Sequence, residues 1–395
     1  MTETELTIKA ITDRGLCSGC GACMGICPKK AISMERNGSG FLYADIDGEF
    51  CVKCGQCIKV CPSMNPTERT ESAMVGSILK AYALYACDEE IRRNGQSGGV
   101  VTALLLYLLE KGEIEEAIVT DYTDKEGQSV AKSAKIREEL IHAQGSSYMQ
   151  NETLVKFLQA DTIAVPVLLG CQARALHNIE CVIPNKISSS TVKIGLFCGG
   201  CNSPEYIKEV RKGVKGKGKK YTFRARDKRY GGAPGDAILQ EGSQVKVISR
   251  KKRIRAFQIW MNYKCSICTE FYNPYCDIVC GDPWGITSKD VTDKGITVCL
   301  IRTKEGEKLV ERALQEHVVD GWEISGDDVI KGQGMLEKLL KPEMSKRESD
   351  LLKLYFSGDE ARTKILRRMR HQYDYYALKI SFKSGIKKLL KRIGI

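Results

Sequence analysis

Three observations predict a chain of two unlike folded parts, a small α+β module followed by a larger α/β core, closed by a basic helical tail. Two cysteine runs near the N-terminus, Cys17-x-x-Cys20-x-x-Cys23-x-x-x-Cys27-Pro28 and Cys51-x-x-Cys54-x-x-Cys57-x-x-x-Cys61-Pro62, repeat one another at an offset of 34 residues. From Lys80 onward, strand-like and helix-like apolar patterns alternate. At the far end, apolar residues recur at steps of three and four among lysines and arginines. The 395 residues leave room for two or three domains.

The cysteine spacing is that of bacterial two-cluster ferredoxins, in which three thiolates of one run and the distant fourth of the other hold each cubane. Cys17, Cys20, Cys23 and Cys61 are thus expected to bind one 4Fe-4S cluster, and Cys51, Cys54, Cys57 and Cys27 a second. Zinc knuckles also use Cys-x-x-Cys, but two complete copies that each end in Cys-Pro favour clusters. Residues 1–65 read as a ferredoxin-like α+β domain, with strands at 31–34 and 41–44 about a turn at Asn37-Gly38. Residues 66–79, with Pro66 and several charges, read as a linker. One-electron carriers need a donor, so the remaining chain is expected to carry one.

Composition narrows the setting. Eighteen cysteines, behind a start with neither a basic nor an apolar leader segment, point to reduced thiols and a cytoplasmic protein. The apolar run at 100–109 is too short to span a bilayer. The net charge of +12 is concentrated: residues 361–395 hold 11 basic and one acidic side chain, and residues 208–229 hold 11 and two. The rest is net acidic, which argues against a nucleic-acid partner.

In the core, residues 80–86 read as a strand and 100–110 as a helix burying Val101, Leu104, Leu105 and Leu108. Between them lies Asn94-Gly95-Gln96-Ser97-Gly98-Gly99. A glycine-rich turn opening a helix can offer N–H groups to a phosphate, and is equally an ordinary cap. The nicotinamide fingerprint is absent. A strand at 114–122 and a polar turn at 144–150 follow. A strand at 162–169 ends at Gly170-Cys171-Gln172, with a helix at 173–179, and one at 192–197 ends at Cys198-Gly199-Gly200-Cys201. This alternation predicts parallel pairing, with Cys171 and Cys198 at the carboxyl ends of strands, where functional loops sit. Cys265-Ser266-Ile267-Cys268 could close with them around a third metal site; a zinc half-site and buried thiols are the competing readings. Cys87, Cys181 and Cys299 read as packing residues, and the four histidines have no ligand partners. In the tail, Phe382, Ile386, Leu389 and Ile393 form one helix face and Lys383, Lys387, Lys388, Lys391 and Arg392 the other. Such a helix can lie peripherally on an anionic membrane or dock on protein.

Six ordered motifs between Ala81 and Gly285 resemble the coenzyme F-420 hydrogenase/dehydrogenase beta-subunit family. They are the turn at 94–99, Gly145 to Gln150, Gly170-Cys171-Gln172, Leu196-Phe197-Cys198, Cys265-x-x-Cys268 and Gly281-Asp282-x-Trp284-Gly285. The resemblance implies an FAD-containing iron-sulfur oxidoreductase with a flavin-binding core at 80–325; residues 326–395, read as a helical basic extension, lie outside it. It implies Asn94, Ser97, Gly98, Gly99, Ser147, Tyr148 and Gln150 as flavin contacts, and Cys171, Cys198, Cys265 and Cys268 as ligands of a cluster beside them. The expected reaction is hydride transfer from reduced coenzyme F-420 to FAD, then electron flow through 4Fe-4S clusters to a redox protein partner such as a ferredoxin or an electron-transfer complex. A hydride carries two electrons and a cluster accepts one, so a flavin has to stand between them. Arg224, Arg226 and Lys228, alternating on one strand face, are the expected contacts for the phosphodiester and glutamate groups of that coenzyme. A ferredoxin-driven reductase of another organic molecule and a non-catalytic electron-transfer subunit are the alternatives. The chain departs from the family in having Gly170 where a proline is usual, and in the extra Cys201, Cys276 and Cys280.

Overall fold

The computed structural model describes residues 7–122, 128–184, 192–212, 222–230, 235–241, 243–286 and 294–340, with 361, 364, 365 and 367–369 beyond them. The amphipathic tail from Lys379 onward and the lysine-glycine stretch 213–221 lie outside the described residues.

The two cysteine runs build the same local unit twice. Each passes through a left-handed glycine, Gly21 (φ 76°) or Gly55 (φ 71°), into a short helix, Ala22–Ile26 or Gln56–Val60. A side chain is strained at such φ, so glycine lets the loop turn into the helix there. Strands β1 (Ile32–Arg36) and β2 (Leu42–Ile46) pair antiparallel from Ile32↔Ile46 to Arg36↔Leu42. Asn37 holds the turn between them, its Oδ1 accepting the N–H groups of Ser39 and Phe41 at 3.0 Å each.

The two copies differ in what they face. A Cβ on Gly21 would lie 2.2 Å from Val155 Cγ2, and one on Gly25 2.7 Å from Leu158 Cδ1. The first-run helix is therefore pressed onto the core helix Thr153–Leu158. At Gly55 nothing lies within 4 Å, and Lys59, the counterpart of Gly25, is exposed.

The core is built on β3 (Lys80–Ala86), β4 (Glu116–Tyr122), β5 (Ser129–Ala134), β6 (Ala164–Leu168) and β7 (Ile194–Leu196). After an insertion come β11 (Ile278–Gly281), β12 (Thr297–Ile301) and β13 (Val319–Glu323). Their order is β13-β3-β12-β11-β7-β6-β4-β5. The four inner strands β11, β7, β6 and β4 pair in parallel. The sheet is mixed rather than wholly parallel: β12 runs back against β11, β3 is antiparallel to both β12 and β13, and β5 is antiparallel to β4. The physical reason is that the first core strand, β3, lies between the last two, which return to it in the opposite sense.

The insertion between β7 and β11 carries β8 (Thr222–Asp227), β9 (Asp236–Glu241) and β10 (Gln244–Ile248), an antiparallel sheet in the order β10-β9-β8. Tyr206, Val210, Phe223, Leu239, Ile259 and Trp260 bury one another between this sheet and the helices Glu205–Arg211 and Arg250–Trp260. Residues 66–79 are fastened to the core. Thr67 donates its N–H and Oγ1–H to the Glu270 carboxylate at 2.9 and 2.5 Å, and Arg302 donates to Ser77 O at 2.8 Å.

Gln150, 3% exposed, ties module to core: its Oε1 accepts Leu42 N–H at 3.0 Å and its Nε2 donates to Ser18 O at 2.7 Å. Gln150→Ala leaves both partners buried and unpaired, at a cost of about 1–3 kcal/mol. Limited proteolysis is expected to cut within 66–79 several-fold faster than in the parent protein, since cleavage follows the population of the opened seam. An equal rate would show that the seam does not depend on this side chain.

Candidate iron-sulfur and redox site

Cys17, Cys20, Cys23 and Cys61 are each 6–8% exposed, and the first three all lie within electrostatic reach of Cys61. Cys27, Cys51, Cys54 and Cys57 line a separate space of about 390 Å³, with Cys54 exposed. The fourth cysteine of each run therefore sits with the first three of the other. Burial pushes the Cys17 thiol up to about 11 and the Cys20 thiol up to about 12. Left to themselves these sulfurs keep their protons, and a sulfur-binding cation is what would draw thiolates out there. Among the described residues no three His, Cys, Asp or Glu side chains close on a single ion. Sulfurs spread around a space suit a polyatomic cluster better than one zinc ion.

A third set assembles in the core. Cys171 opens the helix Gly170–Val182 after β6, Cys198 follows β7, and Cys265 and Cys268 lie in and after the short helix Tyr263–Ser266. These four and Cys201 line a cavity of about 510 Å³ whose wall also includes Ser18, Gly19 and Cys20 of the N-terminal module. The third set and the first quartet thus share a wall. Backbone N–H groups donate to sulfur at each set: Gly19 to Cys17 (3.4 Å), Ala31 to Cys27 (3.3 Å), Lys53 to Cys51 (3.4 Å), Cys201 to Cys265 (3.4 Å) and Glu270 to Cys268 (3.4 Å). Such donors favour thiolate over thiol and tune cluster potential.

Lys264, 8% exposed, lines the same cavity and opposes the upward push of burial on Cys61, Cys265 and Cys268. Its cation therefore stands between two cysteine sets. Sequence reading passed over it, although its place beside Cys265 was the available signal.

Gly170 is explained by its neighbour: a Cβ there would lie 1.9 Å from Glu270 O. The backbone after Cys268 lies against the backbone before Cys171, which leaves no space for a proline ring. Two of the extra cysteines lie apart from the cavity. Cys276 packs beneath Gly195, and Cys280 faces Cys299 across β11 and β12 with sulfurs 3.6 Å apart. Cys87 and Cys181 are exposed and do not pack in the core, because they fall just past β3 and on the solvent side of the helix Gly170–Val182.

Arg224 and Arg226 lie on β8 and Lys228 just past its end, and each cation is already engaged. Arg224 donates to Asn94 O at 2.5 Å. Arg226, 5% exposed, makes a two-pronged pair with Asp282 at 2.5 and 2.9 Å, and Ser97 Oγ donates to the same carboxylate at 2.5 Å. Lys228 Nζ donates to the carbonyls of Arg92, Ser97 (2.6 Å) and Lys294 (2.7 Å). Burial, then Arg92 and Arg224, push the Lys228 ammonium down to about 8. The three residues fasten the 94–99 turn, which corrects their expected role as free substrate contacts.

The turn is likewise internally satisfied in part. Gly95 N–H donates to Ile91 O at 2.9 Å and Gly98 N–H to Thr297 Oγ1 at 2.8 Å, while Gly99, at φ 82°, caps the helix Val100–Glu110. These two donors are thus turned away from any phosphate. Ser147 O accepts the Tyr122 hydroxyl at 3.1 Å, and Gln150 serves the seam. Tyr148 (φ 58°) meets Phe257 edge-on at 5.7 Å and senses Arg226, Asp282, Arg253 and Cys198. Around it Arg226 Nε is buried without a hydrogen-bond partner among the described residues, while Tyr206 and Arg253 hydrogen-bond one another. A buried guanidinium N–H left over beside a tyrosine ring fits a polar or anionic ligand. Tyr206 and Arg253 come from the insertion and carried no motif to mark them.

Cysteine sets in this arrangement, joined to a mixed α/β sheet, define an iron-sulfur electron-transfer protein. A 4Fe-4S dicluster domain matches residues 16–65. "Coenzyme F420 hydrogenase/dehydrogenase, beta subunit" models match residues 81–158 (N-term) and 161–325 (C terminus), together more than half of the chain. The chain belongs to this coenzyme F-420 hydrogenase/dehydrogenase beta-subunit family of oxidoreductases. Its relatives include the coenzyme F-420 hydrogenase subunit beta of Methanosarcina barkeri, 24% identical over 70% of this chain and 92% of that one. The beta subunit of F-420-dependent formate dehydrogenase 1 of Methanococcus maripaludis is 26% identical over 60% of each. The coenzyme F-420-dependent sulfite reductase of Methanocaldococcus jannaschii is 25% identical over 90% of this chain and 54% of that protein. A chain of the F-420-reducing [NiFe] hydrogenase complex from Methanosarcina barkeri shares the fold, with a TM-score of 0.52 and 21% identity over 71% of this chain and 93% of that one.

Lys228→Met strands three buried carbonyls, each costing about 1–3 kcal/mol. A fall of several degrees in the anaerobic thermal midpoint is expected, without rescue by arginine, whose planar fork cannot reach three converging oxygens. An unchanged midpoint would contradict the fastening role. Gly170→Ala is expected to displace Cys171 from the cavity and lower bound iron while leaving the N-terminal module loaded, as read by iron assay on the whole chain and on its proteolytic N-terminal fragment.

Proposed function

We propose that the chain is a flavin-dependent iron-sulfur oxidoreductase that moves electrons between reduced coenzyme F-420 and 4Fe-4S clusters and on to a redox protein partner. The carrying observation is the double adjacency of the third cysteine set. It shares a cavity wall with Cys20 on one side, and on the other the Cys198–Cys201 turn leads into Asn202, whose N–H donates to Tyr148 O at 2.8 Å. Cys171, Cys198, Cys265 and Cys268 would hold one cluster, Cys17, Cys20, Cys23 and Cys61 the next, and Cys51, Cys54, Cys57 and Cys27 the last, where exposed Cys54 meets the partner. FAD, when bound, supplies the conversion of a two-electron hydride into single electrons.

The residues of the chain do the remaining work. Tyr148 offers a ring for a planar cofactor, and the Arg226 and Arg253 guanidinium groups beside it offer positive charge to that cofactor's anionic groups. The fastened 94–99 turn and the Arg226–Asp282 pair hold that wall in place. Lys264 offsets the negative charge of two clusters at their shared wall.

A second reading has an observation of its own. The alignment with the sulfite reductase covers 90% of this chain but only 54% of that protein. A unit of this kind can therefore form one part of a larger reductase, in which its clusters feed a separate reducing centre.

Anaerobic purification followed by assay of flavin, iron and sulfide, then mixing with reduced coenzyme F-420 and separately with NADH, tests the proposal. One FAD, about 12 irons per chain and rapid oxidation of the deazaflavin but not of NADH are expected. A loaded protein that leaves reduced coenzyme F-420 untouched would sink the substrate assignment, and absence of flavin would sink the hydride route.

A further inference from the structure

Five thiols, not four, line the core cavity: Cys171, Cys198, Cys201, Cys265 and Cys268. A cubane takes four. Cys201 is 7% exposed and follows Cys198 through the Gly199-Gly200 turn. Gly200 has φ 127°, and a Cβ there would lie 2.5 Å from Met261 Sδ. The turn is thus pressed onto Met261 and folds Cys201 back beside Cys198, whose thiol hydrogen-bonds its own. The Cys201 backbone is tied to the opposing pair: its N–H donates to Cys265 Sγ at 3.4 Å, and its carbonyl accepts Asn262 N–H at 2.9 Å. Two Cys-x-x-Cys turns therefore face one another across the cavity, 198–201 and 265–268, and Cys171 reaches in from a third side. Cys276 and Cys280, equally extra in the sequence, have their sulfurs in the sheet interior.

We propose that Cys201 is an alternate ligand of the third cluster, so that either Cys198 or Cys201 completes coordination by Cys171, Cys265 and Cys268. This rests on the three-cluster reading above. Exchange breaks one iron-thiolate bond and makes another, and the departing thiolate takes the proton that the incoming thiol gives up. Iron, sulfide and electron count are unchanged. The two states differ in which sulfur lies free. Ligation through Cys201 leaves the Cys198 thiol free, and the changed hydrogen bonding at sulfur shifts the cluster potential.

The test uses the full chain, purified anaerobically, with Cys198→Ala, Cys201→Ala and the double variant; alanine is chosen because it offers no ligand atom. Iron and sulfide are counted, and the dithionite-reduced protein is examined by electron paramagnetic resonance. Each single variant is expected to keep about 12 irons per chain, and the double variant to fall to about 8 with the module signals intact, which reports correct folding. The parent protein is expected to show two third-cluster signals, and each single variant one of them. Loss of about four irons in Cys198→Ala alone would overturn the proposal, as would a Cys201→Ala spectrum identical to that of the parent. A parent protein with about 8 irons would instead overturn the three-cluster reading itself.

Discussion

Electron transfer between buried centres falls off steeply with separation, so the seam between the N-terminal module and the α/β core governs the rest of this structure. The seam is close because glycine makes it close. Gly21 and Gly25 let the first-run helix rest against Val155 and Leu158 at distances where an added Cβ would require those side chains to shift. Polar groups trapped there are paired: Gln150 serves Leu42 and Ser18, Asn262 Nδ2 donates to Cys17 O at 3.2 Å, and Thr67 serves Glu270. A buried seam with satisfied hydrogen bonds holds its geometry, whereas a flexible linker would let the two parts drift.

The seam also breaks the symmetry of the duplicated cysteine runs. Ala22 and Gly25 on the first helix correspond to Gln56 and Lys59 on the second. One copy is thereby pressed inward with its buried quartet, and the other is left at the surface with Cys54 exposed. The result is a difference in burial between the two module quartets, one enclosed and one reaching the surface. Thiols that burial would otherwise keep protonated receive backbone N–H groups, and at the shared wall a single lysine cation, which lowers the cost of gathering negative charge in a poorly hydrated place.

On the other side of the third cysteine set, cations are engaged within the fold. Arg224 and Lys228 work as internal fasteners, converting a glycine-rich turn into a fixed wall through carbonyl acceptors rather than carboxylates. Arg226 is paired with Asp282 yet keeps one N–H unpartnered among the described residues, and Arg253 hydrogen-bonds Tyr206.

Much of this was legible beforehand because the relevant physics is local. Two-residue gaps between cysteines dictate that three sulfurs face one point, and the strand-end positions of Cys171 and Cys198 follow from hydrophobic runs that stop where the chain must turn. The glycines of the first run carried the seam as well, although only a neighbour at 2.2 Å gives that meaning to Gly21. Long-range pairing was decided by the tertiary structure alone: β3 between β12 and β13, the internal partners of Arg224, Arg226 and Lys228, the exclusion of Cys276 and Cys280 and the inclusion of Cys201. Alternation along a strand shows which side chains share a face but not which way that face points. That direction depends on what the rest of the chain packs against it.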